Sequence, residues 1–156
     1  MTTTWPKGPG LAERYVVTPL TLIAEQAVDG DTYERWVAGY DVHTGAAKGR
    51  LVEAANGVRF AEVVVKGPKT WSLAAALDPE ISGSYDAAQT RAAEQIIAWV
   101  AQHATTRVGP RGLQVQVPLE RIEAAVIRHY TSRTGDPPHQ LRLAGHRCSA
   151  RTYGVA

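Results

Sequence analysis

A single cysteine, Cys148, stands among the 156 residues. No disulfide can close within the chain, and a reducing compartment suits it. No apolar run approaches the roughly 18 residues that a membrane-spanning helix requires. The opening residues, MTTTWPKGPGLAER, lack the charged-then-apolar layout of a secretory signal. The expected location is therefore cytoplasmic, with no membrane partner. There is no glycine-rich phosphate loop, no paired-cysteine zinc pattern and no nucleophile elbow, which removes the commonest signatures of nucleotide, zinc and hydrolase chemistry. Charge of one sign is lacking too. Seventeen basic residues against fifteen acidic ones leave a net charge of +2, too little for the whole chain to announce a nucleic-acid partner.

What is present is an ordinary globular composition, 44% apolar and 21% charged, enough for one domain with a real core. The charge is unevenly spread. From Arg128 onward, Arg128, Arg133, Arg142, Arg147 and Arg151 face one acid, Asp136, which gives +4 and leaves −2 for the first 127 residues. Such a basic end suits phosphate contacts or a solvated tail equally well.

Along the chain, residues 1–14 carry Pro6, Gly8, Pro9 and Gly10 and read as an irregular arm. Thr18-Pro19 reads as a helix start, with Leu20, Ile23, Ala24 and Ala27 repeating at helical spacing up to Asp29-Gly30. A second helix is expected from Asp31, its core stripe formed by Tyr33, Trp36, Val37 and Tyr40. Residues 43–57 read as a loop with a short strand at 50–53. Residues 59–65 read as a strand, with Phe60, Glu62 and Val64 on one face and Ala61, Val63 and Val65 on the other. Glu62 thus shares a face with apolar neighbours, as either a solvated strand end or part of a site. A short helix over 68–77 precedes a long one over 84–103, whose expected buried stripe is Tyr85, Ala88, Ala92, Ile96, Trp99 and Val100. Strands are expected at 113–117, 124–131 and 139–143, and an aperiodic tail over 144–156. Helices clustered with mostly antiparallel strands make the fold class α+β.

Three features stand apart: Glu62 ahead of Lys66-Gly-Pro-Lys-Thr-Trp-Ser72, then Thr105-Thr-Arg-Val-Gly109, then His129-Tyr-Thr-Ser-Arg-Thr-Gly-Asp-Pro137. Together they resemble the TrwC-type (MobF) conjugative relaxases, which carry an acidic strand end, a "PKS-x-S" helix start, a "TR-x-G" segment and an "H-x-TSR-x-x-DP" loop in this order and spacing. The resemblance spans residues 59–137. It implies an α+β palm of the HUH kind, an antiparallel sheet with packed helices, here incomplete because the family domain is about twice as long. The chain is then a single partial relaxase domain over 1–156. The implied chemistry is nicking of single-stranded DNA at an origin of transfer by a tyrosine, in plasmid mobilisation. A divalent metal (Mg, Mn or Zn) on three histidines polarises the phosphate, and a carboxylate assists the phenol, whose ordinary pKa near ~10 makes it a poor nucleophile unaided.

Carried over residue by residue, Glu62 takes the place of the assisting acid and His129 that of the first metal histidine. Lys66 and Lys69 fall where the loop meets phosphates, and Arg128, Arg133 and Arg142 are further expected DNA contacts. Tyr15 is the leading nucleophile, followed by Tyr33 and Tyr40. The other two metal histidines should follow the Asp-Pro two residues apart, because that spacing shares one strand face. Those places hold Gln140 and Arg142, and His139 is one residue early. Gln is a poor ligand and a guanidinium repels a cation, so no metal is expected here. The resemblance therefore implies a catalytically impaired relaxase-like fragment. The alternative is a non-catalytic protein that binds single-stranded DNA or a relaxosome component.

Overall fold

A computed structural model describes residues 11–49, 51, 53, 60–110, 112–129 and 140–148, the last segment by its backbone. Residues 1–10 of the expected arm, positions 50 and 52 of the expected short strand, Arg133, His139 and residues 149–156 lie outside them, while residues 12–14, expected in the arm, belong to a strand. Strands β1 (Ala12–Val17) and β2 (Leu22–Val28) form a hairpin. At its turn the Thr18 hydroxyl accepts from the Leu20 and Thr21 amides at 3.3 and 3.0 Å, while the Thr18 amide donates to the Thr21 carbonyl at 2.9 Å. The helix expected from residue 18 is thus a turn followed by a strand. A threonine hydroxyl and a proline with fixed φ serve a turn as well as a helix start. Leu20, 94% exposed, and Ile23, 57% exposed, are no buried helical stripe.

Helix α1 (Gly30–Val37) is capped by Asp29, which accepts from the Thr32 amide at 2.8 Å. The cap is therefore Asp29, and Asp31 lies within the first turn. Tyr33 and Trp36 are buried, as their spacing predicts. Strand β3 (Ala61–Lys66) leads through Gly67-Pro68 into α2 (Lys69–Leu77). Gly67 has no room for a side chain, because a Cβ there would run into the Tyr85 hydroxyl, which accepts the Gly67 amide at 3.0 Å. Helix α3 (Pro79–His103) starts earlier than expected, with Asp78 as its cap and Pro79 in the first turn.

The face that α3 buries is Tyr85, Gln89, Ala93, Ile97 and Ala101. The expected stripe through Ala88, Ala92, Ile96 and Trp99 is one residue out, a rotation of roughly 100°. Both sets have helical spacing, but Ala93 and Ala101 let the helix approach the sheet closely. Trp99 is instead 61% exposed and stacks on His103. Strands β4 (Thr105–Val108) and β5 (Val115–Pro118) pair as a separate hairpin. Gly109 and Gly112 adopt positive φ in its turn.

Strands β6 (Arg121–His129) and β7 (Gln140–Cys148) complete a five-stranded antiparallel sheet of order β2-β1-β6-β7-β3. β7 takes in residues 144–148, which were expected in the aperiodic tail. Flanked by β6 and β3, this backbone finds ladder partners on both sides without any hydrophobic alternation. The fold is α+β. One face of the sheet, through Tyr15, Val17, Ile122, Ala124 and Val126, packs on Ala93, Ile97 and Ala101 of α3. The other, through Ala12, Val28, Ala125 and Ile127, packs on Tyr33 and Trp36 of α1. No helix among the described residues is long and apolar enough to cross a membrane.

Candidate functional site

The sheet register decides which residues can act together. Directly opposed residues of antiparallel strands share a face. Lys66 opposes Gln140, which opposes His129, so these three positions form one row across β3, β7 and β6. Val64, Arg142 and Ile127 form the next row, and Glu62, Ala144 and Ala125 the third. Ala125 and Ile127 touch α1, so all three rows lie on the α1 face. Helix α1 covers the β2–β1–β6 part of that face, with Phe60, ahead of β3, at its border. Over β3 it is open: Glu62, Val64 and Lys66 are exposed, and His129 is half-buried.

Glu62 and His129 therefore share a face without standing side by side. Four residues along a strand and two strand spacings across separate their Cα atoms by roughly 16 Å, with position 142 between them. Lys69 is exposed at the start of α2, which has no side-chain cap.

Two expected site residues are placed elsewhere. Tyr15 opposes Ala124 and is buried on the α3 face, where its hydroxyl donates to Glu13 Oε2 at 3.3 Å. Burial, then the charges of Glu13 and Glu94, push its pKa up to about 12. It cannot belong to a pocket with Glu62 and His129, because strand alternation turns it to the other side. Arg128 is likewise turned away from His129, its neighbour in sequence. Its guanidinium donates to the Asp86 carbonyl and carboxylate, both at 3.4 Å, and to the Thr90 hydroxyl, tying β6 to α3. It is a strut within the fold. Of the other tyrosines considered, Tyr33 is core, and Tyr40 is half-buried beside the Arg35 guanidinium.

Sequence reading missed a charged cluster beneath α1. Glu123, 4% exposed, accepts from the Trp36 indole and the Lys48 ammonium, both at 2.6 Å, and lies 3.6 Å from the Arg14 guanidinium. Arg14, 3% exposed, pairs with Glu25 at 2.8 Å. These groups anchor α1 and the loop after it to the sheet, and so fix the wall of the open half-face. The only signal was Glu123 inside the apolar run Ile122-Glu-Ala-Ala-Val-Ile127, a buried charge that needs partners.

The described residues of the open face do not fit a divalent metal. Among the described residues no group of three His, Cys, Asp or Glu side chains is placed to hold one. Opposite and diagonal to His129 on β7, positions 140 and 142 carry an amide and a guanidinium, of which the first ligates poorly and the second is a fixed cation.

A family model described as TrwC relaxase matches residues 5–141. Among solved structures, TrwC complexed with a 27-mer DNA comprising the recognition hairpin and the cleavage site shares 20% identity. The match covers 88% of this chain and 49% of that one, with a TM-score of 0.62. The conjugative relaxase TrwC with oriT DNA, in its metal-free structure, gives 21%, 93%, 51% and 0.64 for the same quantities. Its metal-bound structure gives 20%, 87%, 47% and 0.61. The chain thus spans about half the length of these structures, and at such identity the likeness is one of fold. No curated protein matches the chain.

Proposed function

The chain belongs to the TrwC relaxase family, and from that premise we propose that it binds single-stranded DNA of an origin of transfer without cutting it. The observation that carries this is the pairing of Gln140 with His129, with Arg142 on the next row of the same open face. A surface of that form suits a DNA backbone. It lacks the donors that a metal-assisted attack on a phosphodiester requires. The placement of Tyr15 supports the same conclusion. A phenol with its pKa pushed up to about 12 is almost wholly protonated near neutral pH, and it lies on the far face of the sheet.

The test uses an origin-of-transfer oligonucleotide, labelled at one end, with manganese or magnesium present. Denaturing gels should show the strand intact and no covalent protein–DNA adduct. Fluorescence anisotropy should show binding that prefers single strands to duplex and weakens with salt, as contacts to phosphate do. A metal-dependent tyrosine–DNA adduct formed by the unmodified protein would overturn the proposal.

A further inference from the structure

We propose that the outer edge of β3 joins the same edge of a second copy of this chain, giving a twofold dimer with one continuous antiparallel sheet. β3 is the last strand of the order β2-β1-β6-β7-β3, and among the described residues it pairs with β7 alone. Its register with β7 runs unbroken from Ala61 to Lys66. The opposite edge, β2, differs, because its pairing with β1 carries a register shift, and a bulge of that kind blunts an edge against other strands. The centre of β3 is the β-branched run Val63-Val64-Val65, suited to extended backbone. Val63 is 42% exposed on one face and Val64 47% on the other. An edge that is regular, apolar and exposed is a template for another strand.

The charges of β3 select what joins it. Glu62 and Lys66, both exposed, stand two residues either side of Val64 on one face. When two copies pair antiparallel about Val64, Glu62 of each directly opposes the partner's Lys66, and Val63 opposes the partner's Val65. Directly opposed Cβ atoms lie roughly 4.5–5.5 Å apart, close enough for both ion pairs to form. Parallel pairing in the same register sets glutamate against glutamate and lysine against lysine. Sliding an antiparallel copy by two residues leaves all four charges unmatched. The edge is thus complementary to itself in one arrangement, as a twofold interface must be. Glu62 already takes part in an interaction within its own chain, and a carboxylate has lone pairs enough for a second partner. The contact is small, so the dimer is expected to be weak.

The test is sedimentation equilibrium of the parent, Glu62→Lys, Lys66→Glu and the double exchange, with circular dichroism to confirm each fold. The parent should dimerise as its concentration rises, and hydrogen exchange should show the β3 amides gaining protection in step. Either single change sets like charges opposite each other at two places and should weaken the dimer about tenfold. The double exchange restores both pairs with their signs reversed and should dimerise as the parent does. An equimolar mixture of the two single variants should form a mixed dimer, since every lysine then opposes a glutamate. Should Glu62→Lys fail to fold, Lys66→Glu, at an exposed strand end, decides alone. A parent that stays monomeric at about 1 mM, where an interface of millimolar dissociation constant would hold half the chains, overturns the proposal. Single variants that dimerise like the parent, or a folded double exchange that does not recover, overturn it as well.

Discussion

Tyr15 shows how one side chain's surroundings set its chemistry. It is 4% exposed in the core between the sheet and α3, with its hydroxyl on a carboxylate, Glu13. Removing a phenolate's solvent and setting two acids near it both favour the neutral phenol, hence the rise to about 12, which the Arg128 charge opposes only in part. The linkage has a definite sign. An unfolded tyrosine ionises near ~10, so the stabilisation is fully present below that pH and is lost as pH rises from there through about 12. Two pKa units correspond to about 3 kcal/mol. Urea unfolding of the parent should therefore lose stability over this window, and Tyr15→Phe should lose less, since other groups titrate in both proteins. Identical pH profiles would mean that the phenol is not held neutral by the fold.

At the scale of elements, α3 separates two faces of similar composition. Ile97 is 3% exposed in the core beneath the helix, and Ile96 only borders it. Ile97→Asp would bury a carboxylate with nothing to pair it and should unfold the domain, a loss of several kcal/mol. Ile96→Asp can swing its charge toward water and should lower the melting temperature only partly. Equal melting temperatures for the two variants would show that the helix is not seated as described. The same pair explains what the sequence could tell. Helix existence was legible from apolar spacing, and strand faces from alternation, as with Val65 against the α3 core and Phe60 against the α1 core. The seating of α3 was not, because Ile96 and Ile97 are equally apolar and only contact with the sheet chooses between them. Residues 18–28 failed for a related reason. Leu20, Ile23, Ala24 and Ala27 fit a helical period by chance on an edge strand whose exposed side needs no pattern. The open face with His129 and Glu62 was legible in part. Each residue's own face followed from alternation, but the stagger between them depends on a register that no local signal encodes.

The whole molecule can be asked whether it would still accept a metal. Position 140 directly opposes His129, and position 142 follows on the same face. Directly opposed residues have Cβ atoms roughly 4.5–5.5 Å apart, a spacing that lets two imidazoles share an ion held at about 2.1 Å from each nitrogen. The backbone of β7 is thus in place, and what opposes a metal is side-chain chemistry. A divalent cation about 4 Å from the Arg142 guanidinium meets about 8 kcal/mol of repulsion at an effective dielectric near 20, before solvent relaxation reduces it. The double change Gln140→His with Arg142→His removes that repulsion and supplies two donors. Its ion would tie β6 to β7 and so stabilise the folded state as a whole. At a metal concentration a hundredfold above its dissociation constant the gain is about 2.7 kcal/mol. For a domain of this size that is a rise of roughly 5–10 °C in melting temperature. Zinc or manganese should produce that rise in the double variant and none in the parent. EDTA should reverse it. If the variant folds but metal does not move its melting temperature, then β6 and β7 do not set positions 129, 140 and 142 around one point. The register alone would then be insufficient to build the site.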